Sequence, residues 1–310
     1  MKILVTCPPM LRLIDEFRPV FEKKGIELIA PNVVQTLSVE ELVDLVPQVD
    51  GWIIGDDPAT ETVFAAGKKG KLKAAVKWGV GVDNVDFAAC KKLGIPISNT
   101  PLMFGEEVGA LAAHYVIGLA RETFSVHNGV KKGEWPKPAG ISLQNRTVAL
   151  IGFGDIGRST ARMLRAFKMG INVYDPFAMT TDADRERYRF IEFPEKLEDA
   201  DFVVVTCSLT PATKQMINRE SISAMMDGVR IVNVSRGPII DESALVAALK
   251  SGKVYSAALD VFENEPLPMD SPLRSFERCI FGTHNGSNTV DAVRRASERA
   301  MEILFGYLGV

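Results

Sequence analysis

The feature that most constrains the fold of this chain is a repeated alternation of short apolar segments with segments of helical periodicity. Apolar runs of strand length, each followed by an amphipathic or polar segment, are typical of parallel sheets joined by helices. The pattern occurs twice, and we therefore predict an α/β protein with two doubly wound parallel-sheet domains. The first series is KILVTC, IELIA, GWIIG, AAVKWGV and IPIS, and the second is TVALIGFG, INVYD, DFVVVTC, RIVNVS, YSAALDV and IFGT.

A long apolar helix separates the two series. The stretch GEEVGALAAHYVIGLARETF carries apolar residues at spacings of three and four from Val108 to Ala120. This spacing is typical of a helix with one buried face. We place the boundary between the two domains near Thr100, where the pattern changes. The stretch TVDAVRRASERAMEILFGYL has the same spacing and predicts another long helix.

The composition excludes several classes of function. The chain has 310 residues and is 46% hydrophobic, which suits two domains with cores and excludes a disordered protein. Its net charge of -3 gives no general field that would attract nucleic acid or an anionic membrane. The sequence has no stretch of membrane-spanning length and no cleavage-site pattern, which predicts a cytoplasmic protein. Four cysteines without paired spacing predict core residues and no metal site: Cys7, Cys90, Cys207 and Cys279.

The most specific local signal is a glycine pattern between a strand and a helix. Gly152, Gly154 and Gly157 form GxGxxG directly after the apolar run TVALI. In a dinucleotide-binding fingerprint these glycines allow a tight turn, a close approach to the diphosphate and helix–strand packing. The helix N-terminus then offers backbone N–H groups to the diphosphate. The alternative is an ordinary strand-to-helix turn that requires small residues.

Asp175 ends the next strand and predicts which dinucleotide binds. Its carboxylate can accept hydrogen bonds from both hydroxyls of a ribose, and it would repel a 2'-phosphate. No arginine follows at Pro176 or Phe177, whereas two occur further on in the helical segment, Arg185 and Arg187. We therefore expect NAD as the cofactor and a preference for NAD over NADP.

Ionisable residues follow three strands in the second half of the series. Arg236 follows RIVNVS, Asp260 and Glu265 follow YSAAL, and His284 follows CIFGT. Because ligands of open α/β folds bind at the carboxyl ends of strands, we expect these groups at one edge of the sheet. The alternatives are that Arg236 pairs on the surface with a neighbouring carboxylate, such as that of Asp241 or Glu242, and that His284 is a capping or packed residue.

Several motifs resemble those of the D-isomer-specific 2-hydroxyacid dehydrogenases. They occur in order from about residue 74 to residue 289, whereas the first 70 residues are similar mainly in pattern. They are GVGVDNVD, GEW, GFGDIGR, LTPATKQMIN, VNVSRGPIIDESAL, AALDVFENEPLP and THNGSNT. The resemblance implies a flavodoxin-like substrate-binding domain of residues 1–99 and 286–310. It also implies a Rossmann NAD-binding domain of residues 100–285 and a cleft between the two domains.

The resemblance implies a role for each ionisable residue. Arg236 would bind and polarise a 2-oxo acid, His284 would be the acid/base with Glu265 as its partner, and Asp260 would hold the nicotinamide carboxamide. This assignment agrees with the chemistry, because hydride reduction of a ketone leaves an alkoxide that needs a proton. The implied cofactor contacts are Gly152, Gly154, Asp155, Ile156, Gly157, Asp175, Pro211, Val234 and Asp260.

The loop after AAVKW predicts the substrate site of the first domain. Glycine at position 81 lets a ligand approach the backbone N–H groups of Val80 and Gly81, and the resemblance implies that this loop binds the substrate carboxylate. The alternative is an ordinary glycine-rich strand end without a binding function. Two residues differ from the family pattern. Trp78 stands where many relatives carry arginine, and we expect an effect on the charge or size of the substrate. Thr206 stands where relatives often carry histidine, and we expect an effect on cofactor contact.

We expect an oxidoreductase that acts on a small 2-hydroxy acid or 2-oxo acid and assembles as a homodimer. The apolar helix and the arm that contains Trp135 suit a subunit interface. The resemblance also covers NAD(H)-sensing corepressors with little turnover, which are the alternative class. Formate oxidation is disfavoured, since the related formate enzymes carry glutamine beside the histidine. Phosphoglycerate, glycerate, hydroxypyruvate, glyoxylate and lactate remain open as substrates.

Overall fold

The computed structural model describes all 310 residues, and its strands and helices alternate along the chain. The strands are β1 Lys2–Val5, β2 Glu27–Ile29, β3 Gly51–Ile54, β4 Ala74–Lys77, β5 Ile97–Asn99, β6 Thr147–Ile151, β7 Gly170–Tyr174, β8 Arg189–Phe190, β9 Phe202–Val205, β10 Val229–Asn233, β11 Val254–Leu259 and β12 Ile280–Phe281. The helices are α1 Pro8–Arg12, α2 Ile14–Lys23, α3 Val39–Leu45, α4 Glu61–Lys69, α5 Phe87–Leu93, α6 Gly105–Arg121, α7 Thr123–Lys131, α8 Asp155–Ala166, α9 Asp182–Arg187, α10 Arg219–Ala224, α11 Glu242–Ser251 and α12 Val290–Leu308.

The strands form two separate, entirely parallel sheets, which confirms the predicted fold class. The five-stranded sheet has the order β2-β1-β3-β4-β5, the flavodoxin-like order. The seven-stranded sheet has the order β12-β11-β10-β9-β6-β7-β8. Counted from its own first strand, β6, and read from β8, this is the Rossmann order 3-2-1-4-5-6 with one further strand.

The chain divides into two compact units. The first contains residues 1–103 and 287–310, with the five-stranded sheet; the second contains residues 104–286, with the seven-stranded sheet. Within the first unit, α12 packs against β3 and β4. None of the helices combines the length and the apolar character that crossing a bilayer requires.

The strands of the second unit end in register. Ile151 pairs with Tyr174 on one side and Val205 on the other, and Asn233 pairs with Val205 and Leu259. Leu259 also pairs with Phe281. Each of these residues is the last in its strand, so six neighbouring strands stop at one line across the sheet. Whatever residue follows each strand is therefore placed on the same edge.

Two details of the sequence prediction were wrong. The predicted helix GEEVGALAAHYVIGLARETF is interrupted at Glu122, whose φ of 50° is left-handed, and α7 begins at the next residue. The Glu122 carboxylate accepts a hydrogen bond of 2.6 Å from the hydroxyl of Tyr255, a partner distant in sequence. The edge strand β8 was also not predicted, since two residues are too short to show periodicity.

The fingerprint helix α8 packs closely against α6 at two glycines of α6. A Cβ atom at Gly105 would lie 2.5 Å from the Asp155 carboxyl carbon. A Cβ atom at Gly109 would lie 2.8 Å from Cβ of Ser159 and 3.1 Å from the backbone nitrogen of Thr160. The second contact involves backbone, which cannot yield without moving α8. Because Gly105 and Gly109 have no side chains, α8 can lie at this distance from α6.

We expect Gly109→Val to lower the free energy of unfolding by about 1–3 kcal/mol, the usual cost of overpacking a well-packed contact. Gly306→Val on α12 is the matched control, because no atom lies within 4 Å of a Cβ at that helical position. The control should stay within about 0.5 kcal/mol of the native protein, as exposed substitutions do. Urea unfolding followed by circular dichroism measures both variants. Equal stability of the two would contradict the close α6–α8 packing.

Candidate active site

The candidate site of the second unit lies along the edge where six strands end in register. The residues directly after these strands are Gly152, Asp175, Thr206, Val234, Asp260 and Gly282. Four of them are residues that the sequence analysis assigned to cofactor binding. The glycine fingerprint thus follows β6, and the ionisable residues Arg236, Glu265 and His284 follow β10, β11 and β12 at the same edge.

The three fingerprint glycines differ in what surrounds them. Gly152 has a φ of 97°, and a Cβ there would lie 2.6 Å from the backbone nitrogen of Cys207. A Cβ at Gly157 would lie 2.2 Å from the carbonyl oxygen of Gly152, so this glycine allows helix and strand to pack. A Cβ at Gly154 would meet nothing within 4 Å. The N-terminus of α8 therefore faces open space, which fits a diphosphate.

The residues between the glycines begin helix α8. Asp155 is its first residue, and its carboxylate lies against Gly105 of α6. A carboxylate at a helix N-terminus is stabilised by the helix dipole. The carbonyl of Ile156 accepts a hydrogen bond of 2.9 Å from the hydroxyl of Thr160, inside the helix. Only the backbone N–H groups of these two residues are therefore suited to contact a diphosphate in this arrangement.

Asp175 closes the fingerprint turn from the neighbouring strand. Its carboxylate accepts hydrogen bonds of 2.8 Å from the N–H of Phe153 and 2.9 Å from the N–H of Phe177. A carboxylate has about four acceptor positions, so two hydroxyls of a ribose can still bind it. The carboxylate of Asp175 is thus oriented by the backbone of the same turn that carries Gly152 and Gly154.

Arg158, which was not among the predicted site residues, also contacts this turn. Its guanidinium stacks on the Phe153 ring at 4.4 Å and donates a hydrogen bond of 2.9 Å to Asp184. A backbone hydrogen bond from Thr181 and the bond from Arg158 lower the pKa of Asp184 to about 2. Because Asp184 neutralises it, Arg158 does not offer an unshared charge to a 2'-phosphate.

Three further predicted positions lie at or beyond the ends of β9 and β10. Val234 is buried and donates its N–H to the carbonyl of Val205 at 3.3 Å, whereas Pro211 is exposed in the turn after β9. The hydroxyl of Thr206 donates to the carbonyl of Gly152 at 2.9 Å. Thr206, which stands where relatives often carry histidine, therefore stabilises the fingerprint turn through this hydrogen bond.

Arg236 lies in a tight turn after β10. Its backbone is extended, and its Nη1 donates to the carbonyl of Ser235 at 2.9 Å. A Cβ at the next residue, Gly237, would lie 1.8 Å from the carbonyl carbon of Phe262, so glycine alone fits there. The turn with Arg236 therefore packs directly on the backbone of the loop that leads to Glu265.

Asp241 and Glu242, the candidate surface partners of Arg236, have structural roles of their own. Asp241 caps α11 by accepting a hydrogen bond of 3.0 Å from the N–H of Ala244. Glu242 accepts a hydrogen bond of 2.6 Å from the N–H of Glu263, and Glu263 accepts one of 3.2 Å in return. Burial raises the pKa of Glu242. The bonds between Glu242 and Glu263 thus form a second contact between the segment after β10 and the loop after β11, besides that of Gly237 with Phe262.

The structure brings His284 and Glu265 together. Nδ1 of His284 lies 2.8 Å from Oε2 of Glu265, and the two side chains are 25% and 23% exposed, so the pair is accessible to a ligand. The other carboxylate oxygen accepts the N–H of Phe262 at 3.0 Å. Glu265 is thus fixed by its own loop and in turn orients the imidazole.

Asp260 is 2% exposed and shapes the turn that carries His284. Its carboxylate accepts the N–H groups of Asn285 and Gly286 at 3.2 and 2.9 Å, and its carbonyl accepts the N–H of His284 at 2.6 Å. The hydroxyl of Tyr115 lies 3.4 Å from the same carboxylate. Burial raises the pKa of Asp260. These contacts give Asp260 a structural role that the sequence alone did not indicate.

Val80 and Gly81 belong to the first unit, in the loop after β4. The N–H of Gly79 donates to the hydroxyl of Thr100 at 2.8 Å, and Asn99 donates to the carbonyl of Val80 at 3.1 Å. Val80 itself is exposed. The loop is therefore anchored to the end of β5 while its tip faces solvent, which suits backbone contact with a ligand.

Trp78 lies inside the first unit. Its indole is 5% exposed and donates to the hydroxyl of Ser297 on α12 at 3.1 Å. The cation at this end of β4 is Lys77, which donates to the carbonyl of Gly55 at 2.7 Å and to Asp56 at 2.9 Å. Trp78 therefore contributes to packing, and the lysine that precedes it was not among the predicted site residues.

Comparison with known families decides which enzymes this chain resembles. Residues 113–286 match the model for the NAD binding domain of D-isomer specific 2-hydroxyacid dehydrogenases, and this match covers more than half of the chain. The chain belongs to the D-isomer-specific 2-hydroxyacid dehydrogenase family. It is an NAD-dependent 2-hydroxyacid dehydrogenase or reductase, and the prediction of an NAD-dependent oxidoreductase is confirmed.

Relatives of this dehydrogenase are similar over most of its length. A hydroxypyruvate reductase of Thermotoga maritima is 38% identical over 280 residues, or 88% of this chain and 90% of the relative. A D-3-phosphoglycerate dehydrogenase of Methanocaldococcus jannaschii is 35% identical over 99% of this chain but only 58% of its own length. The solved structure of the TT0316 protein from Thermus thermophilus has a TM-score of 0.88 and 30% identity, and it covers 100% of this chain and 97% of that one.

Proposed function

We propose that this dehydrogenase interconverts a small D-2-hydroxy acid and its 2-oxo acid, with Arg236 as the substrate clamp and His284 with Glu265 as the acid/base pair. The observation that carries the proposal is the bond of 2.8 Å between His284 and Glu265 in a loop that packs on the Arg236 turn. The three residues follow β10, β11 and β12, which are neighbours in one sheet. This arrangement supports their assignment to one site.

Arg236 is suited to bind a 2-oxo acid because its guanidinium presents several N–H donors in one plane. Two of them can bind the substrate carboxylate, and a third can polarise the neighbouring carbonyl. The turn holds the guanidinium close to its own backbone through the bond to Ser235. Lysine would provide charge without this planar geometry.

His284 is suited to exchange a proton with the substrate oxygen. Because Nδ1 bonds Glu265, Nε2 is the ring nitrogen that points away from the carboxylate. The Glu265 carboxylate stabilises the imidazolium and fixes its orientation. In the reducing direction, Nε2–H would donate its proton to the oxygen of the carbonyl, and in the oxidising direction Nε2 would accept the proton of the hydroxyl.

The bound NAD(H) supplies or accepts the hydride. The N–H groups at the start of α8 would bind its diphosphate, where Gly154 leaves open space. The Asp175 carboxylate, already oriented by Phe153 and Phe177, would accept the ribose hydroxyls. These residues fit the cofactor that the family requires.

The substrate carboxylate would also bind the first unit, through the N–H groups of Val80 and Gly81. We assign residues 1–99 and 286–310 to substrate binding and residues 100–285 to cofactor binding. The support is the exposed tip of the loop after β4 and its anchoring by Asn99 and Thr100. Lys77, at the end of the same strand, is buried and paired with Asp56, so it supports the loop through these contacts.

The test is a steady-state assay with NADH and NADPH against a panel of 2-oxo acids, together with the variant His284→Ala. We expect turnover with NADH and, in His284→Ala, a kcat lower by about 10²- to 10⁴-fold, the usual contribution of general acid/base catalysis. The dissociation constant for NADH should be nearly unchanged. His127→Ala, which removes an exposed histidine of α7, is the matched control and should leave both quantities unchanged.

Two results would contradict the assignment. Equal loss of turnover and of NADH binding in His284→Ala would show that the histidine supports the fold or the cofactor. Tight NADH binding by the native protein without turnover on any 2-oxo acid of the panel would favour a sensor of NAD(H).

We also propose that the dehydrogenase is a homodimer. Residues 132–146, the arm between α7 and β6, are fixed to the second unit where the N–H of Ile141 donates to the carbonyl of Ala120 at 2.8 Å. Trp135 on this arm is nevertheless 78% exposed, and Val130 and Phe124 of α7 are 47% and 37% exposed. Exposed apolar side chains on a segment that is bonded to the second unit favour a subunit interface.

We expect light scattering to give twice the mass of the chain, and we expect Trp135→Glu to shift the protein toward monomer, because a buried unpaired carboxylate is costly. Met269→Glu is the matched control, since Met269 is 85% exposed in a different loop. A monomeric native protein, or the same shift in both variants, would refute the interface.

A further inference from the structure

We propose that Asn233 is a positioning residue that holds Arg236 in its substrate-binding geometry, an inference that rests on the function proposed above for Arg236. Asn233 is the last residue of β10 and is 1% exposed. It lies three residues before Arg236 and is too deeply buried to meet a substrate directly. Its influence on the reaction must therefore pass through the turn.

The amide of Asn233 closes the turn from inside. Its Oδ1 accepts the N–H of Ser235 at 3.0 Å, and its Nδ2 donates to the carbonyl of Arg236 at 2.9 Å. One side chain thus binds the backbone of both residues that precede Gly237. A carboxylate lacks the donor, and an alanine lacks both groups, so only the amide satisfies both bonds.

The rest of the turn is already anchored on its outer sides. Gly237 packs on the backbone of Phe262, and the hydroxyl of Ser235 donates to the carbonyl of Cys207. These contacts attach the turn to its two neighbouring loops. The inner contact with Asn233 then fixes the backbone at Ser235 and Arg236, and with it the direction in which the Arg236 side chain leaves the chain.

Asn233 also connects the two loops that carry the proposed reacting groups. Its carbonyl accepts the N–H of Asp260 at 2.9 Å, and the Asp260 carboxylate holds the turn of His284. The buried polar residues at the ends of β10 and β11 are therefore bonded to each other. Loss of the Asn233 side chain leaves this backbone bond in place, so its effect should reach Arg236 and spare His284.

A double-mutant cycle with Asn233→Ala and Arg236→Lys tests the proposal. In the native background, we expect Asn233→Ala to lower kcat/KM for the 2-oxo acid by about 10-fold to 100-fold, mainly through KM, since a buried hydrogen-bonding group is lost. In the Arg236→Lys background, the same change should have an effect of less than about threefold, because coupled residues are not additive. NADH binding and the pH profile of kcat should stay unchanged.

Asn172→Ala is the matched control, since Asn172 is a buried asparagine of β7 in the same sheet. It should not change KM for the 2-oxo acid. If Asn233→Ala fails to fold, Asn233→Ser carries the same cycle, because its smaller polar side chain fills part of the space and still removes the paired amide contacts.

Additive effects of Asn233→Ala and Arg236→Lys would overturn the positioning role. So would a variant Asn233→Ala that loses thermal stability and NADH binding while KM for the 2-oxo acid is unchanged. A different failure belongs to the proposed function: if Arg236→Lys leaves kcat/KM unchanged, Arg236 is not the clamp, and the role of Asn233 falls with it.

Discussion

The common end of the parallel strands is the constraint on which the rest of this structure depends. Ile151, Tyr174, Val205, Asn233, Leu259 and Phe281 end their strands in register. Each following residue is thereby delivered to one edge, although the segments are far apart in sequence. Because the strands are buried, a shift in register would disrupt the packing of their apolar side chains and rearrange this edge. The register of the buried strands thus determines both the packing of the core and the geometry of the proposed site.

Where the chain leaves the sheet at this edge, its backbone N–H and C=O groups lose their partners in the neighbouring strands. Side chains at the strand ends provide new hydrogen-bond partners for these groups. Asp175 binds the fingerprint turn, Asn233 binds the turn of Arg236, and Asp260 binds the turn of His284. Burying polar groups is costly unless they are hydrogen-bonded, which these are. The edge therefore has a rigid polar layer beneath the side chains that we assign to catalysis, and preorganised geometry is what such catalysis needs.

The sequence predicted the repeated parallel architecture because periodicity depends on local pattern, and it predicted the fingerprint because GxGxxG follows a strand and begins a helix. It identified His284 and Glu265 as partners only by family resemblance, and their distance of 2.8 Å became visible in three dimensions. The break at Glu122 could not be predicted, since it depends on Tyr255, which lies 133 residues further along the chain. The roles of Asn233 and Asp260 were hidden for a different reason: their side chains bind backbone groups, which no residue type identifies.

We propose above that Arg236, Glu265 and His284 act on one substrate beside the nicotinamide. A crystal structure with NADH and oxamate, an unreactive analogue of a 2-oxo acid, tests it most directly. We expect the guanidinium of Arg236 to bind the oxamate carboxylate by two hydrogen bonds and Nε2 of His284 to lie within about 3.2 Å of the carbonyl oxygen. Oxamate bound elsewhere, or a nicotinamide ring remote from these two side chains, would contradict it.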